Sequence, residues 1–323
     1  MTDRSVAPSL QAPEGQVSQN VLILMATRNG ARFIADQLES IAAQHRADWR
    51  LWISDDGSSD GTVAIIEEFA RSRPEGQVRL LRGPGVGATG NFRSLLRRAA
   101  LDGQYLAFCD QDDVWDRDHL SRGMAMLSEI PDSLAIYGCR MRICDARLQQ
   151  TGLSPLPARP LGFRNALVQN MLSGNTIVMT PAAARLLQEA EAEVGEIPIH
   201  DWWAYQIVTG AGGTAVLDDQ PGILYRQHGA NVIGANRGLR TFPTRLLRHL
   251  RGRHKDWAVQ NSAALRASAM RFTPENRDRL TAFDDALSAP LTRKIAALRK
   301  AGVYYQSPQA RAAFWLSVAL RGF

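Results

Sequence analysis

From residue 20 onward, short apolar runs alternate with stretches in which apolar residues recur every three or four positions. The runs predict strands at residues 21–26, 51–54, 78–81, 105–109, 134–137 and 176–179. A helical stretch follows each of the first three runs. Short strands joined by helices are typical of an α/β protein with a doubly wound, mostly parallel sheet. In such a sheet, ligands bind beyond the carboxyl ends of the strands.

The last quarter of the chain has a different composition. Residues 236–323 carry 17 Lys and Arg against 5 Asp and Glu, whereas residues 1–235 carry 21 against 27. Leu246, Leu247 and Leu250 on one helical face, with an apolar stretch at residues 314–316, predict a basic helical extension. Such a segment indicates either a solvated helical face or an anionic partner such as a membrane surface. The basic charge alone does not indicate a nucleic-acid binder.

Composition gives the chain's general class. Hydrophobic residues make up 45% and charged residues 22%, as in ordinary globular proteins. No apolar run reaches the roughly 20 residues of a membrane-spanning helix, and the three cysteines form no C-x-x-C pair. We therefore expect a cytoplasmic protein in three parts: a flexible tail at residues 1–19, a main domain at 20–235 and the basic extension at 236–323.

Three carboxylates, Asp110, Asp112 and Asp113, directly follow the predicted fourth strand. Carboxylates this close repel one another unless a cation neutralises them. Their oxygens suit Mn²⁺ or Mg²⁺, with phosphates of a substrate completing the coordination. Such an ion stabilises a diphosphate leaving group. The alternative is a solvated acidic turn that caps the next helix.

A second acidic pair, Asp55 and Asp56, follows the predicted second strand. The glycines behind it permit a tight turn, and Asp60 or Thr62 can cap the next helix. Capping does not explain two adjacent acids at the end of the strand. These acids can accept hydrogen bonds from a nucleobase or a ribose, and the sheet edge places Thr27 and Asn29 beside them.

Residues 85–90 match G-x-G-x-x-G between a predicted strand and a helix, with Asp110 about 20 residues further on. This pattern favours a rival class, an NAD(P)-dependent oxidoreductase. Two features oppose it. The motif follows the third strand, whereas the dinucleotide fingerprint belongs to the first strand–helix turn. Its supposed ribose-binding acid also lies in a cluster of three carboxylates. A nucleotidyltransferase and a non-catalytic nucleotide- or glycan-binding protein are further alternatives.

Several segments in consistent order resemble the family 2 inverting glycosyltransferases with the A-type fold. They read TRN at 27–29, SDDGSSDGT at 54–62, GNF at 90–92 and FCDQDDVW at 108–115. Three more resemble the bacterial rhamnosyltransferase branch: LSGN at 172–175, HDWW at 200–203 and YRQHGANV at 225–232. The resemblance spans residues 20–235. The Q-x-x-R-W motif of processive synthases is absent, which favours transfer of one or a few sugars.

The resemblance implies an A-type glycosyltransferase fold and a role for each matching position. The donor-binding residues are Thr27, Asn29, Asp55, Asp56, Asn91, Asp110 and Gln111. Asp110, Asp112 and His228 are the implied ligands of Mn²⁺ or Mg²⁺; a loop histidine is otherwise an ordinary polar surface residue. The implied acceptor-binding residues are Trp202, Trp203, Gly174 and Asn175. The resemblance also implies dTDP-L-rhamnose as the donor and a polysaccharide or lipid-linked oligosaccharide as the acceptor.

Asp201 is the predicted catalytic base. Inverting transfer is a single displacement, so one group must take the proton of the attacking hydroxyl. The neighbouring Trp202 and Trp203 can form apolar walls for a sugar and raise the pKa of the carboxyl. The alternative is an N-cap, because the segment at residues 198–201 opens a predicted helix, where Asp is common.

Overall fold

The computed structural model describes residues 20–130, 134–229, 253–320 and 323. Within these residues, nine strands form one mixed sheet in the order β3-β2-β1-β4-β8-β6-β9-β5, and β7 pairs with β6. The strands are β1 Val21–Thr27, β2 Trp49–Asp55, β3 Val78–Arg82, β4 Tyr105–Cys109, β5 Val114–Trp115, β6 Ala135–Cys144, β7 Gln150–Leu153, β8 Val178–Met179 and β9 Thr214–Arg226. The predicted α/β class is confirmed.

Helices cover both faces of this sheet. They are α1 Ile34–Ala42, α2 Thr62–Arg71, α3 Ala88–Arg98, α4 His119–Ser128, α5 Phe163–Ala166, α6 Pro181–Glu191, α7 His200–Gly210, α8 Arg253–Ala267, α9 Pro274–Ser288, α10 Leu291–Ala301 and α11 Pro308–Ala319. Within the residues described, no helix is long and apolar enough to cross a membrane.

Strands β1 to β4 form the parallel half of the sheet. Their side chains alternate between two cores because successive residues of a strand point to opposite faces. Ile23 and Met25 pack with helices α1, α2 and α4, while Leu22 and Leu24 pack with α3, α6 and α7. Burial on both faces explains why β1 and β4 read as continuous apolar runs, whereas β3, at the edge of the sheet, is only partly buried.

The other half of the sheet is mixed. Strand β8 is antiparallel to β4 and β6, whereas β9 runs parallel to β6 and antiparallel to β5. The β6–β9 register shifts twice near Arg140, opposite the polar stretch at residues 218–221. Strand β5 follows the acidic cluster and pairs Val114 with Leu224. This pairing carries the end of β9 to the edge where the cluster lies.

The described part of the extension is helical, as predicted, and shares a core with the sheet. Phe283 and Phe314 belong to the same buried cluster as Leu22 and Leu24. Asn276 donates to the carbonyls of Thr209 and Gly210 at 3.1 Å, which satisfies the last turn of α7.

Some predictions concern residues that the structure does not describe. Residues 1–19, the boundary at 235–236 and Leu246, Leu247 and Leu250 lie outside the described residues, so the three-part division stays a proposal. In the predicted apolar stretch at 314–316, Phe314 is buried in the core and Leu316 is exposed. The three cysteines are free and buried.

Candidate active site

The acidic cluster leaves β4 with its three carboxylates in different surroundings. Asp113 is fully buried; its Oδ1 accepts the backbone N–H of Arg226 at 2.9 Å and its Oδ2 accepts Asn175 Nδ2 at 2.5 Å. Burial and then the charge of Asp112 raise the pKa of Asp113 to about 7. The Asp113 side chain therefore points into the protein and holds the loop in place. Asp110 and Asp112 are half-buried at the edge of the sheet.

The structure brings His228 to the cluster. Its Nε2 lies 2.7 Å from Oδ2 of Asp112, although 116 residues separate the two. Burial and the charges of Asp113, Asp112 and Asp201 raise the pKa of Asp110 well above its ordinary value. A cation would relieve this crowding, and carboxylate and imidazole groups suit Mn²⁺. The donor set fits a divalent ion chemically, but within the described residues no three such groups are already gathered around one point.

Arg226, the last residue of β9, holds the cluster in place. Its Nε donates to the carbonyl of Asp112 at 2.8 Å, and its Nη2 donates to Oδ2 of Asp36 at 2.7 Å. Its guanidinium also stacks over Phe33, 4.5 Å from the ring centroid. No role was predicted for Arg226, because β9 was not predicted. The one indication in the sequence was that Arg226 lies two residues before His228, a predicted metal ligand.

Gln111 joins the loops that follow β1 and β4. Its Oε1 accepts Thr27 Oγ1 at 2.5 Å and the backbone N–H of Arg28 at 3.0 Å. Its Nε2 donates to the carbonyl of Arg28 at 3.2 Å. A side chain at Gly30 would collide with this amide. The predicted neighbours Thr27 and Gln111 therefore meet, as the sheet edge requires.

Asn29 and Asp55 join the loops that follow β1 and β2. Asp55 Oδ2 accepts the backbone N–H groups of Gly57 and Ser58 at 3.1 and 2.9 Å, which fixes the turn. Asn29 has a φ of 50° and its Oδ1 accepts the N–H of Ser59 at 2.9 Å. Asn tolerates this left-handed conformation better than most residues. These contacts shape one rim of the candidate nucleotide site.

Asp56 uses its carboxylate to hold the loop between β3 and α3. Its oxygens accept the N–H groups of Gly85 and Gly87 at 2.6 and 2.8 Å. The amides that a dinucleotide fingerprint offers to a pyrophosphate are thus engaged by a carboxylate of the protein itself. This contact contradicts the oxidoreductase alternative.

Asn91 requires a correction. It was predicted to bind the donor, but its side chain is buried and its Nδ2 donates to the carbonyl of Ser54 at 2.7 Å. It therefore braces the end of β2 from inside the core.

A cavity of about 390 Å³ opens between the loops that follow β2 and β3. Asp55, Asp56 and Gly57 line one side, and Arg82 and Gly83 line the other. A cavity at the carboxyl ends of parallel strands is the expected place for a nucleotide.

Asp201 lies in the first turn of α7, one residue after the helix begins at His200. The N-cap residue is Ile199, so Asp201 is not the N-cap itself, although its Oδ1 accepts the backbone N–H of Trp202 in the first turn at 2.6 Å. Asp201 Oδ1 accepts Asn170 Nδ2 at 3.0 Å, and Oδ2 accepts the N–H of Gly174 at 2.8 Å. Burial raises the pKa of Asp201 to about 6. A base with this pKa is ionised at neutral pH and still binds a proton strongly enough to accept one.

The short 3₁₀ helix Gly174–Thr176 connects Asp201 with the acidic cluster. Gly174 contacts Asp201, and the next residue, Asn175, contacts Asp113. A Cβ on Gly174 would lie 3.0 Å from His200 Nε2, closer than an ordinary contact. Gly174 and Asn175 are both buried. Gly174 and Asn175 were predicted to contact the acceptor; they instead hold the side chains of Asp201 and Asp113.

Trp202 and Trp203 also require a correction. Their side chains are only 5% and 1% exposed, and Trp202 Nε1 donates to the carbonyl of Ala166 at 2.6 Å. Helix α7 is buried at every residue from Trp202 to Gly210. The indoles therefore pack in the core and do not form the predicted walls for a sugar. The raised pKa of Asp201 is caused by burial and does not require the indoles.

We expect the acidic limb of the pH–kcat profile to lie near pH 6, where Asp201 loses its charge. The hydrogen bond from Asn170 lowers the pKa of Asp201. In Asn170→Ala this contribution is lost, so the pKa rises and the acidic limb moves to higher pH. Measuring kcat between pH 5 and 8 for both proteins tests this. A lower kcat with an unmoved limb would contradict it.

Comparison with known proteins identifies the family of the chain. The family model described as glycosyl transferase family 2 matches residues 22–195, more than half of the chain. The chain therefore belongs to glycosyl transferase family 2. It is 31% identical over 227 residues to the dTDP-rhamnosyl transferase RfbG of Shigella flexneri, covering 66% of this chain and 74% of that protein.

Two solved structures share the fold. Staphylococcus aureus TarS 1–349 matches with a TM-score of 0.57 and 14% identity, over 93% of this chain and 89% of that chain. The mannosyltransferase PcManGT from Pyrobaculum calidifontis, in complex with GDP-Man and Mn²⁺, matches with a TM-score of 0.51 and 17% identity, over 98% and 90%. At these identities the likeness shows the fold alone. The chain is thus a glycosyltransferase with the predicted A-type fold.

Proposed function

We propose that this glycosyltransferase transfers a single sugar, with inversion, from a nucleotide-sugar to a hydroxyl of a glycan acceptor. One observation carries the proposal: residues 174–175 join the half-buried carboxylate of Asp201 to Asp113 of the acidic cluster. A base and a site for a charged leaving group are therefore held in one rigid unit. Inverting displacement needs these two groups together.

Each of the remaining residues has a definite part in this proposal. Asp110, Asp112 and His228 would hold Mn²⁺ or Mg²⁺. The ion supplies positive charge to the departing diphosphate. Asp201 takes the proton of the acceptor hydroxyl, and Asn170 and Gly174 orient its oxygens.

The proposed donor is dTDP-L-rhamnose. The similarity to RfbG supports this sugar nucleotide, and the cavity beside Asp55 supports a nucleotide at that edge. Asp55 and Asp56 line the proposed base and ribose site, and Thr27 lies beside Asp55 on the neighbouring strand. The acceptor is proposed to be a growing polysaccharide or a lipid-linked oligosaccharide, and the enzyme to act in the cytoplasm at the inner face of the membrane.

A panel of nucleotide-sugars tests the donor. With Mn²⁺ present, dTDP-L-rhamnose is expected to raise the melting temperature more than UDP-, GDP- and other dTDP-sugars, because ligands that bind only the folded state stabilise it. The same donor should be hydrolysed fastest in the absence of acceptor. NADH serves as the control and should change nothing. A larger shift with a different sugar nucleotide would replace the proposed donor.

A further inference from the structure

Helices α10 and α11 present an exposed surface without carboxylates. Residues 286–323 contain six Lys and Arg and no Asp or Glu. On α10, Arg293, Arg299 and Lys300 are exposed. On α11, Arg311 is exposed as well. The basic charge of this part of the chain is therefore not neutralised by acids on the same helices.

The exposed side of α11 is apolar. Leu316 and Leu320 are 44% and 58% exposed, and Ala312 and Ala319 lie on the same helical side at spacings of three or four residues. Phe314, on the opposite side, is buried in the core. The helix thus has one apolar side that packs and another that faces solvent. We call the exposed residues of α10 and α11 the basic–apolar face.

Two further arginines lie beside the connection between these helices. The guanidinium carbons of Arg159 and Arg164 lie 4.1 and 5.5 Å from the ring centroid of Tyr304. Arg164 Nε donates to the carbonyl of Gly302, directly after α10. Neither arginine forms an ion pair with any residue that the structure describes. Two cations on one ring without a carboxylate extend the positive surface.

We propose that the basic–apolar face docks on an anionic phospholipid bilayer. Exposed leucines and exposed cations on two consecutive helices are the pattern of a surface that inserts apolar side chains among lipid tails while Lys and Arg meet the headgroups. A second copy of the chain fits poorly, because a symmetric contact would oppose cation to cation. A nucleic acid would leave the leucines unburied. This inference deepens the proposed function and rests on its location at the inner face of the membrane, because it names the surface that docks there; glycosyl transfer itself does not require that surface.

Co-sedimentation of the full-length protein with vesicles tests the docking. We expect binding to vesicles that contain phosphatidylglycerol, weak binding to pure phosphatidylcholine, and release in salt of about 1 M, where the Debye length falls to about 3 Å. Leu316→Glu/Leu320→Glu should weaken binding by about tenfold or more, because it places charge in the lipid contact. Arg299→Gln/Lys300→Gln should weaken only the binding to anionic vesicles.

The matched control is Val259→Glu/Met270→Glu, which adds the same charge at residues 46% and 83% exposed elsewhere on the extension. It should bind like the unaltered protein. The proposal would be overturned if the control variant lost as much vesicle binding as Leu316→Glu/Leu320→Glu. It would also be overturned if the unaltered protein bound neutral and anionic vesicles equally. Donor hydrolysis without vesicles should be unchanged in every variant, which separates failure of docking from failure of the proposed function. If Leu316→Glu/Leu320→Glu has a lowered melting temperature, the test rests on Arg299→Gln/Lys300→Gln, and unchanged binding of that variant to anionic vesicles would overturn the proposal.

Discussion

Asp201→Asn is expected to lower kcat by about 10²–10⁴-fold, because the amide cannot take the proton of the acceptor hydroxyl. Its oxygen can keep the hydrogen bond from Asn170, but its NH₂ group cannot accept the N–H of Gly174. We therefore also expect a modest loss of stability, about 1–3 kcal/mol. Donor affinity should hardly change, because the candidate nucleotide cavity is lined by other loops. The loss should thus appear in kcat.

Asp145→Asn is the matched control. Asp145 Oδ1 also accepts two backbone N–H groups, from Arg147 and Gln149 at 2.9 Å, on an exposed turn. This variant should keep its kcat. Near-normal turnover of Asp201→Asn with an intact fold would mean that the base lies elsewhere. Asp113 is then a poor substitute, because its oxygens are buried against Arg226 and Asn175.

Activity is expected to vanish in excess EDTA and to return when Mn²⁺ or Mg²⁺ is added. Asp112→Ala should lose about 10²-fold or more in kcat, because it removes a carboxylate that the ion needs to stabilise the diphosphate. It should remain folded, because Asp112 is partly exposed and its backbone carbonyl still accepts Arg226. Calorimetry should show that Mn²⁺ no longer strengthens binding of the nucleoside diphosphate.

Asp116→Ala is the control for this experiment. Asp116 lies four residues further along the chain but pairs with Arg142, so metal-dependent binding should survive its loss. Full turnover of the unaltered enzyme in excess EDTA would contradict the metal assignment. If the Mn²⁺ dependence of Asp112→Ala were unchanged, Asp112 would not be a ligand of the ion.

The centre of the parallel half of the sheet could be predicted because β1 and β4 are buried on both faces. Strand β4 was predicted with its observed bounds, since every residue from Tyr105 to Cys109 is buried. Strand β9 was not predicted, because Asp218, Asp219 and Pro221 interrupt its apolar residues. The role of Arg226 was missed for the same reason.

The candidate site could be predicted in position but not in detail. The acids after β2 and β4 meet on one edge because parallel strands place their carboxyl ends together. The inward turn of Asp113 depends on Asn175 and Arg226, which are remote in sequence. Trp202 and Trp203 directly follow Asp201, but α7 is buried from Trp202 to Gly210, so both indoles lie in the core. Sequence spacing carries no information on that enclosure.

Time-resolved proton NMR of donor turnover tests the central claim most directly. With the sugar nucleotide that the panel selects, diamagnetic Mg²⁺ and no acceptor, water takes the place of the acceptor hydroxyl. Single displacement with Asp201 as base predicts that the free sugar first appears with the anomeric configuration opposite to that of the donor, and that Asp201→Asn forms it about 10²–10⁴-fold more slowly. First appearance of the sugar with the donor's own configuration would contradict inverting transfer.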